Sequence, residues 1–339
     1  MMKKIHFISA LILGCSLIGV QAQTAVTNYK IVNKISLAGD EKWDYLYSDD
    51  QAGRLYVSHG SIVQVVDEAK LEVIGTISGM KGVHGIAIAT DLGKGYISSG
   101  KDTSVTVFDI KTFKVITRFK VSGLNPDAIL YDAFSKKVFT FNGKSNNATV
   151  IDPATDKIVA TIALTGKPEF AVSDGKGKVY VNLEDVSNIA EINPLTYAVE
   201  HVWPLAPGDG PSGLALDNET HRLFSVCNNK LMVVLDAETG KVITTLPIGE
   251  RTDGAAFDPS LKCAYSSNGD GTLTVVKEGA NDSFSVLVTI STQKGARTIT
   301  VNKLTHHIYL PTANFEPQQG AERPKSVPGT FVILEIAPE

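Results

Sequence analysis

The chain has 339 residues, with 32 lysines and arginines against 36 aspartates and glutamates, so its formal net charge is −4. Hydrophobic residues make up 43% of it, which is enough to build a folded core. The basic residues form no stripe or cluster of the kind that binds phosphates, so a nucleic-acid-binding role is not expected.

Residues 1–22 carry the pattern of a secretory signal peptide. Lys3 and Lys4 form a basic start, an apolar stretch follows, and Val20-Gln21-Ala22 supplies the small residues of a cleavage site. An alternative is a lipoprotein signal, in which Cys15 would carry the lipid anchor. No other apolar run approaches the roughly 20 residues that span a bilayer, so no transmembrane segment is expected. We therefore expect an extracytoplasmic protein, either periplasmic or secreted.

A short apolar strand that begins at a polar residue then recurs in steps of 40 to 44 residues. The seven polar positions are Asp44, His84, Asp127, Glu169, Ser212, Asp253 and Arg297. A repeat of this length is typical of a β-propeller, in which each unit is a small antiparallel sheet that buries its faces only against its neighbours. We predict an all-β fold, a single seven-bladed propeller domain over residues 23–339 with four antiparallel strands in each blade.

Each unit contains four short stretches that are rich in β-branched and alternating residues, which indicates strands. Small residues such as Gly85 and Ala128 follow the polar position, and they suit the crowded strand nearest the axis. The second stretch always carries an aromatic residue, which we predict to pack between blades. These aromatic residues are Tyr56, Tyr96, Phe139, Tyr180, Phe224, Tyr265 and Tyr309.

The last unit lacks a fourth strand. It supplies candidate strands at Arg297–Val301, His307–Leu310 and Phe331–Ile336, and the given sequence then ends. The segment 29–37 reads as a strand with no blade before it. We therefore predict that residues 29–37 complete the seventh blade and remove an exposed sheet edge, which would otherwise invite aggregation.

The last unit also carries a polar, proline-rich insertion between its second and third strands, over residues 313–328. Its position places it on the face of the propeller where the innermost strand of each blade begins, which we call the upper face. Loops on one face of a repeat array often bind ligands, so the insertion is either part of a binding surface or an ordinary surface loop.

The repeated units resemble the YVTN family of seven-bladed propellers, the YncE-like secreted proteins. The resemblance rests on Gly85-Ile-Ala-Ile, Tyr56-Val-Ser-His, Val150-Ile-Asp-Pro-Ala-Thr and the strand from Ile158 to Gly166. It covers essentially all of residues 29–336. It implies an extracytoplasmic binding or scaffold role and supplies no catalytic residues. No unit keeps the full Tyr-Val-Thr-Asn sequence, so a ligand shared with the family is not implied.

The candidate ligand-binding residues lie on the upper face, around the mouth of the central channel. They are the seven polar positions named above, together with residues that end the second strands, namely His59, Asn142 and Asn268. Four carboxylates that converge on one axis would repel, which would raise some of their pKa values unless a cation or Arg297 compensates. Oxygen-rich rings of this kind suit a hard divalent cation such as Ca²⁺. The alternative is that these are turn residues around a water-filled opening.

We expect a monomeric binding or scaffold protein that recognises a small molecule or a protein through its upper face, with no resident cofactor other than a divalent cation. The alternative is a metal-assisted hydrolase of the propeller lactonase type. In that mechanism a bound cation polarises the substrate carbonyl, and His84 or His59 is the general base. A requirement for bound metal and turnover on lactones would distinguish the hydrolase from the binding protein.

Overall fold

The computed structural model describes residue 26 and residues 28–39, 42–317 and 324–339. The strands of this part of the chain form seven antiparallel sheets of four strands each. The innermost strand of every sheet contacts the innermost strands of the two neighbouring sheets, so the seven sheets close into a ring. The fold is the predicted seven-bladed β-propeller. The predicted signal peptide, residues 1–22, lies outside the described residues.

The first three blades run consecutively along the chain. Blade 1 contains β2 (Trp43–Asp49), β3 (Arg54–His59), β4 (Ile62–Asp67) and β5 (Glu72–Ile77). Blade 2 contains β6 (Val83–Ala89), β7 (Lys94–Ser99), β8 (Ser104–Asp109) and β9 (Val115–Lys120). Blade 3 contains β10 (Pro126–Asp132), β11 (Lys137–Asn142), β12 (Asn147–Asp152) and β13 (Lys157–Ala163).

The remaining blades follow the same plan. Blade 4 contains β14 (Pro168–Ser173), β15 (Val179–Leu183), β16 (Asn188–Ile192) and β17 (Val199–Pro204). Blade 5 contains β18 (Pro211–Asp217), β19 (Arg222–Cys227), β20 (Leu231–Asp236) and β21 (Val242–Pro247). Blade 6 contains β22 (Thr252–Asp258), β23 (Cys263–Asn268), β24 (Thr272–Glu278) and β25 (Phe284–Ser291). Blade 7 contains β26 (Thr300–Val301), β27 (Ile308–Thr312), β28 (Val332–Pro338) and β1 (Tyr29–Ser36).

Helical structure in the described residues is limited to two 3₁₀ turns, Thr90–Leu92 and Glu184–Val186. Neither has the length or the apolar character that a membrane-crossing helix needs, and no other described helix does.

The N-terminal strand closes the ring, as predicted. β1 pairs antiparallel with β28 along its whole length, from Tyr29 opposite Pro338 to Ser36 opposite Val332. It is therefore the outermost strand of blade 7. The innermost strand of this blade is shorter than the predicted 297–301 and begins at Thr300. The backbone N–H of Arg297 donates to the carbonyl of Gly295 in a tight turn, so Arg297 does not pair with β27.

The core lies between the blades, where the repeated aromatic residues of the second strands are packed. All seven are at most 1% exposed, as predicted for residues that fill the space between adjacent sheets. The ring of Tyr56, for example, lies 5.9 Å from the ring of Phe108 in blade 2. Because each sheet buries its faces only against its neighbours, this packing holds the innermost strands at fixed positions around the channel.

Candidate functional site

The innermost strand of each of the first six blades carries a β-bulge where it begins on the upper face. The bulges lie between Trp43 and Leu46, Val83 and Ile86, Pro126 and Ile129, Pro168 and Ala171, Pro211 and Leu214, and Thr252 and Gly254. Each bulge encloses one of the polar positions of the repeat. A bulge leaves a residue unpaired and redirects its side chain. The recurring polar residues therefore lie at the channel mouth without a regular backbone partner in the neighbouring strand.

Serine hydroxyls from the second strands hold two of these bulges in place. The backbone N–H of Asp44 donates to Ser58 Oγ over 3.0 Å, and that of Gly85 donates to Ser98 Oγ over 2.8 Å. Ser98 Oγ in turn donates to the backbone carbonyl of Asp127 over 2.5 Å. The backbones that carry the polar side chains of blades 1 to 3 are thus tied to rigid strands. These serines could not be recognised from the sequence, because a small polar residue in a strand has no distinctive pattern.

Asp44, His84 and Asp127 come together at the channel mouth from blades 1, 2 and 3. His84 Nδ1 lies 2.5 Å from Asp44 Oδ2 and 3.5 Å from Asp127 Oδ1. One ligand atom from each of the three side chains lies within 4.8 Å of those of the other two. All three side chains are partly buried. We call these three residues the triad.

Two basic side chains, which make three salt bridges, complete the ring of charges on the other side of the channel. Lys167 forms salt bridges with both Glu169 and Glu184 on the upper side of blade 4. Arg297 forms a salt bridge with Asp253, joining blades 6 and 7. Lys167 and Glu184 were not among the predicted site residues, although a lysine two positions before a repeat carboxylate is visible in the sequence.

Two aromatic rings meet in the channel below these charges. Tyr45 of blade 1 and Phe170 of blade 4 lie on opposite sides of the ring of blades, with ring centroids 5.3 Å apart. They directly follow Asp44 and Glu169, at a position where other blades have a small residue, as at Gly85, Ala128, Gly213 and Gly254. We call the space bounded by the following residues the cup: Asp44, His84, Asp127, Glu169, Asp253 and Arg297 at the sides, with Tyr45 and Phe170 at the base.

The electrostatics of the cup reflect buried carboxylates at close quarters. Burial and the charge of Asp44 raise the pKa of Asp127, and burial and the charge of Asp127 raise the pKa of Glu169. Burial raises the pKa of Asp253 to about 6, although Arg297 opposes this rise. A cation in the cup would relieve this repulsion.

The pKa values of His84 and Tyr45 are shifted by the same buried carboxylates. Burial alone would lower the pKa of His84, but its hydrogen bond to Asp44 and the charge of Asp127 outweigh burial and raise that pKa to about 9. Burial, followed by the charges of Asp127, Glu169, Asp44 and Asp253, raises the pKa of the Tyr45 hydroxyl well above its ordinary value. The Tyr45 hydroxyl therefore lies within electrostatic reach of all four carboxylates.

The predicted asparagines at the ends of the second strands point into their own blades. The side-chain amide of Asn142 donates to Asn147 Oδ1 over 2.8 Å and to Thr149 Oγ1 over 3.0 Å. Asn268 makes the equivalent bonds, to Thr272 Oγ1 over 3.0 Å and to Thr274 Oγ1 over 3.1 Å. Both residues are fully buried, so the structure does not bring them together with the triad.

Ser212 and His59 are also buried. Ser212 Oγ donates to the backbone carbonyl of Thr252 over 3.1 Å. His59 is 1% exposed, its Nδ1 lies 3.1 Å from Gln64 Oε1, and its ring lies 4.2 Å from that of Phe331. Of the predicted site residues, the cup therefore contains Asp44, His84, Asp127, Glu169, Asp253 and Arg297.

The proline-rich insertion lies beside the cup. Its Phe315 packs with a ring-centroid distance of 6.1 Å against Trp43, the residue that precedes Asp44. Phe315 also pairs with Ser326 through an isolated β-bridge, which joins the two described arms of the insertion. Residues 318–323, between these arms, lie outside the described part of the chain.

The fold and the cup define a seven-bladed β-propeller with a charged upper face. A family model described as "Domain of unknown function (DUF5074)" matches residues 33–203, about half of the chain, and the chain belongs to this family. Among solved structures it is similar to hydrazine synthase from Kuenenia stuttgartiensis, with a TM-score of 0.69 and 17% sequence identity. That match covers 86% of this chain and 95% of the other, and it shows the fold alone. No curated protein sequence matches.

Proposed function

We propose that this protein is an extracytoplasmic propeller of the YVTN type that binds a small cationic ligand in the cup. The observation that carries the proposal is the set of four carboxylates, Asp44, Asp127, Glu169 and Asp253, within electrostatic reach of Tyr45, whose ring packs against that of Phe170. Carboxylates attract a cation, and the faces of aromatic rings do the same through their quadrupoles.

The balance of charge supports a cationic ligand. If Glu184 is included, five carboxylates face three cationic side chains, those of His84, Lys167 and Arg297. The cup therefore carries an excess of negative charge when its carboxylates are ionised. In a partly buried site such an excess is costly, and a bound cation offsets it.

The structure offers less support for the hydrolase alternative. His84 donates its Nδ1 proton to Asp44, and its pKa of about 9 keeps it protonated at neutral pH, so it cannot accept a proton as a general base. His59 is buried against Phe331 and Gln64. Neither predicted base is therefore available to a substrate in the cup as it stands.

The extracytoplasmic location rests on the sequence pattern of residues 1–22. Fractionation of cells that express the full chain tests it. We expect the protein outside the cytoplasm, shortened by cleavage after Ala22. Incorporation of labelled palmitate that is lost in Cys15→Ser would instead identify a lipoprotein, and a full-length cytoplasmic product would overturn the proposed location.

Cation binding is tested with butylammonium as the probe and butyrate as its matched anion, using calorimetry and thermal melting of the chelator-treated protein. We expect butylammonium to bind and to raise Tm, and butyrate to do neither. Glu169→Gln should weaken butylammonium binding several-fold, whereas Glu250→Gln, which removes an exposed acid of the same face, should not. Preference for butyrate would contradict the proposal.

A further inference from the structure

We propose that Asp44, His84 and Asp127 form a binding site for a divalent transition-metal ion of the zinc type. The inference rests on the proposed function and makes a metal ion the innermost cation of the cup. The coordinating atoms would be Asp44 Oδ2, His84 Nδ1 and Asp127 Oδ1, the three atoms that face one another at the channel mouth.

The geometry is close to that of a metal site. Zinc bonds of about 2.0–2.2 Å to nitrogen and oxygen place neighbouring ligand atoms about 3.4 Å apart in a tetrahedral arrangement. His84 Nδ1 and Asp127 Oδ1 are already 3.5 Å apart. His84 Nδ1 and Asp44 Oδ2 are 2.5 Å apart and must separate by about 1 Å, which a small rotation of either side chain provides. The ion would take the place of the Nδ1 proton, so no backbone movement is needed.

The donor set selects among metals. The sequence alone suggested Ca²⁺, but Ca²⁺ takes six to eight oxygen ligands, and one corner of the triad is an imidazole nitrogen. One imidazole with two carboxylates suits zinc and neighbouring first-row ions. Three protein ligands also leave at least one coordination position for a ligand group.

Asp127 provides a second, independent observation. Its Oδ1 atom is buried and accepts no hydrogen bond from any described residue. His84 Nδ1, 3.5 Å away, is a charge partner but lies beyond a normal hydrogen-bond distance, and a buried carboxylate oxygen that accepts no hydrogen bond is costly because it has lost its water. A metal ion at the triad would satisfy this oxygen directly.

The framework around the triad is rigid. The three residues sit on bulges of adjacent blades. The Ser58 hydroxyl holds the blade 1 bulge against its own second strand, and the Ser98 hydroxyl joins the bulges of blades 2 and 3. Gly100 leaves room for the imidazole, since a Cβ at this position would lie only 2.6 Å from His84 Nε2. Supporting contacts of this kind hold metal ligands in position and tune the affinity.

The test is calorimetric titration of the chelator-treated protein with ZnCl₂, MnCl₂ and CaCl₂. We expect one equivalent of Zn²⁺ to bind, more tightly than Ca²⁺. Asp127→Asn and His84→Gln should each weaken Zn²⁺ binding by at least tenfold, and Glu250→Gln should leave it unchanged. Equal Zn²⁺ affinity in the wild type and both triad variants would overturn the proposal.

A second variant leaves all three metal-coordinating side chains unchanged. Gly100→Ala should displace the His84 ring and weaken Zn²⁺ binding several-fold while the protein still folds. Co²⁺ supplies a spectroscopic readout, because its visible absorption reports the ligand geometry. We expect the Co²⁺ spectrum to shift in Gly100→Ala. An unchanged spectrum and an unchanged Zn²⁺ affinity in this variant would contradict coordination by His84.

The metal proposal and the proposed function can fail separately. If butylammonium binds in a manner that depends on Glu169 but neither Zn²⁺ nor Co²⁺ binds, the metal proposal fails and the cation-binding function stands. If Zn²⁺ binds through the triad, both are supported. If no cation binds at all, both are wrong.

Discussion

Tyr45 and Phe170 meet across the channel from blades 1 and 4, with ring centroids 5.3 Å apart. Both occupy a bulge at which blades 2, 3, 5 and 6 carry glycine or alanine. Glycine and alanine at this position leave space along the axis, and the two aromatic side chains occupy it. Two substitutions of the repeat thus turn an open channel into a site with a base.

The aromatic base can be removed by Phe170→Ala. We expect a loss of stability of about 3 kcal/mol, since truncation of a packed aromatic leaves a cavity, and a several-fold weaker affinity for butylammonium. Thermal melting and calorimetry measure the two effects. Phe134→Ala is the matched control, because Phe134 is 47% exposed and lies outside the cup. If Phe170→Ala binds the probe as the wild type does, the ring does not form part of the site.

Lys167 holds two carboxylates, Glu169 and Glu184, through salt bridges. Lys167→Met removes the cation and leaves both acids unpaired, so we expect a lower Tm at neutral pH and tighter binding of butylammonium. Lys144→Met serves as the control, because Lys144 is exposed. Weaker binding in Lys167→Met would indicate that the lysine contacts the ligand and would contradict a site for cations.

Ring closure by β1 makes the N-terminal strand part of the core. Deletion of residues 23–38 should therefore lower Tm strongly, as measured by thermal melting. Point substitutions test the same closure with less disruption. Tyr29→Ala is compared with Val32→Ala, because Tyr29 is 2% exposed and contacts Tyr265, whereas Val32 is 37% exposed. We expect only Tyr29→Ala to be strongly destabilising. A deletion variant that melts like the full chain would disprove the closure.

Glu278 gives a pH-dependent prediction away from the cup. It is 6% exposed, its Oε2 atom is buried without a hydrogen-bond partner, and its Oε1 accepts a hydrogen bond from Thr220 Oγ1 over 2.6 Å. Burial, with a further contribution from Asp217, raises its pKa to about 6. The pKa of Glu278 is higher in the folded than in the unfolded protein. The free energy of unfolding therefore falls as the pH rises from about 4.5 to 6.

Glu278→Gln removes this cost and keeps an acceptor for Thr220. We expect the variant to be more stable than the wild type at pH 8, by on the order of 1 kcal/mol, and no more stable at pH 4.5. Melting curves at the two pH values check this. Glu219→Gln is the control, because the Glu219 side chain is 77% exposed. A gain of equal size at both pH values would show that ionisation is not its cause.

The fold could be predicted from the sequence because the same packing problem recurs in every blade. The buried aromatic at the position of Tyr56 and the unpaired strand at 29–37 both follow from local pattern and strand count, and both are confirmed. Six of the polar repeat positions could likewise be placed at the channel mouth, because a strand that begins on one face brings its first residue there.

The pairing of these side chains could not be predicted. His84 begins an innermost strand and Asn142 ends a second strand, and both were predicted to lie at the channel mouth, yet Asn142 bonds to its own blade and His84 to Asp44 of the preceding blade. The difference depends on the bulges and on the separation of neighbouring blades, which no single-unit pattern encodes. Tyr45 and Phe170 were visible as departures from small residues, but their meeting requires three-dimensional distance across the ring. That the cup binds a ligand stays a prediction.

The pairing of β1 with β28 also limits when blade 7 can be completed. The two partners are separated by roughly 300 residues of chain, yet Lys30 Nζ ends 2.6 Å from Glu339 Oε1. A contact of such long range closes a large loop of chain. The conformational entropy of that loop is lost before the hydrogen bonds between the two strands can compensate for it. β1 therefore cannot pair until the chain has reached β28, so blade 7 is completed only after the chain of the other six blades is available.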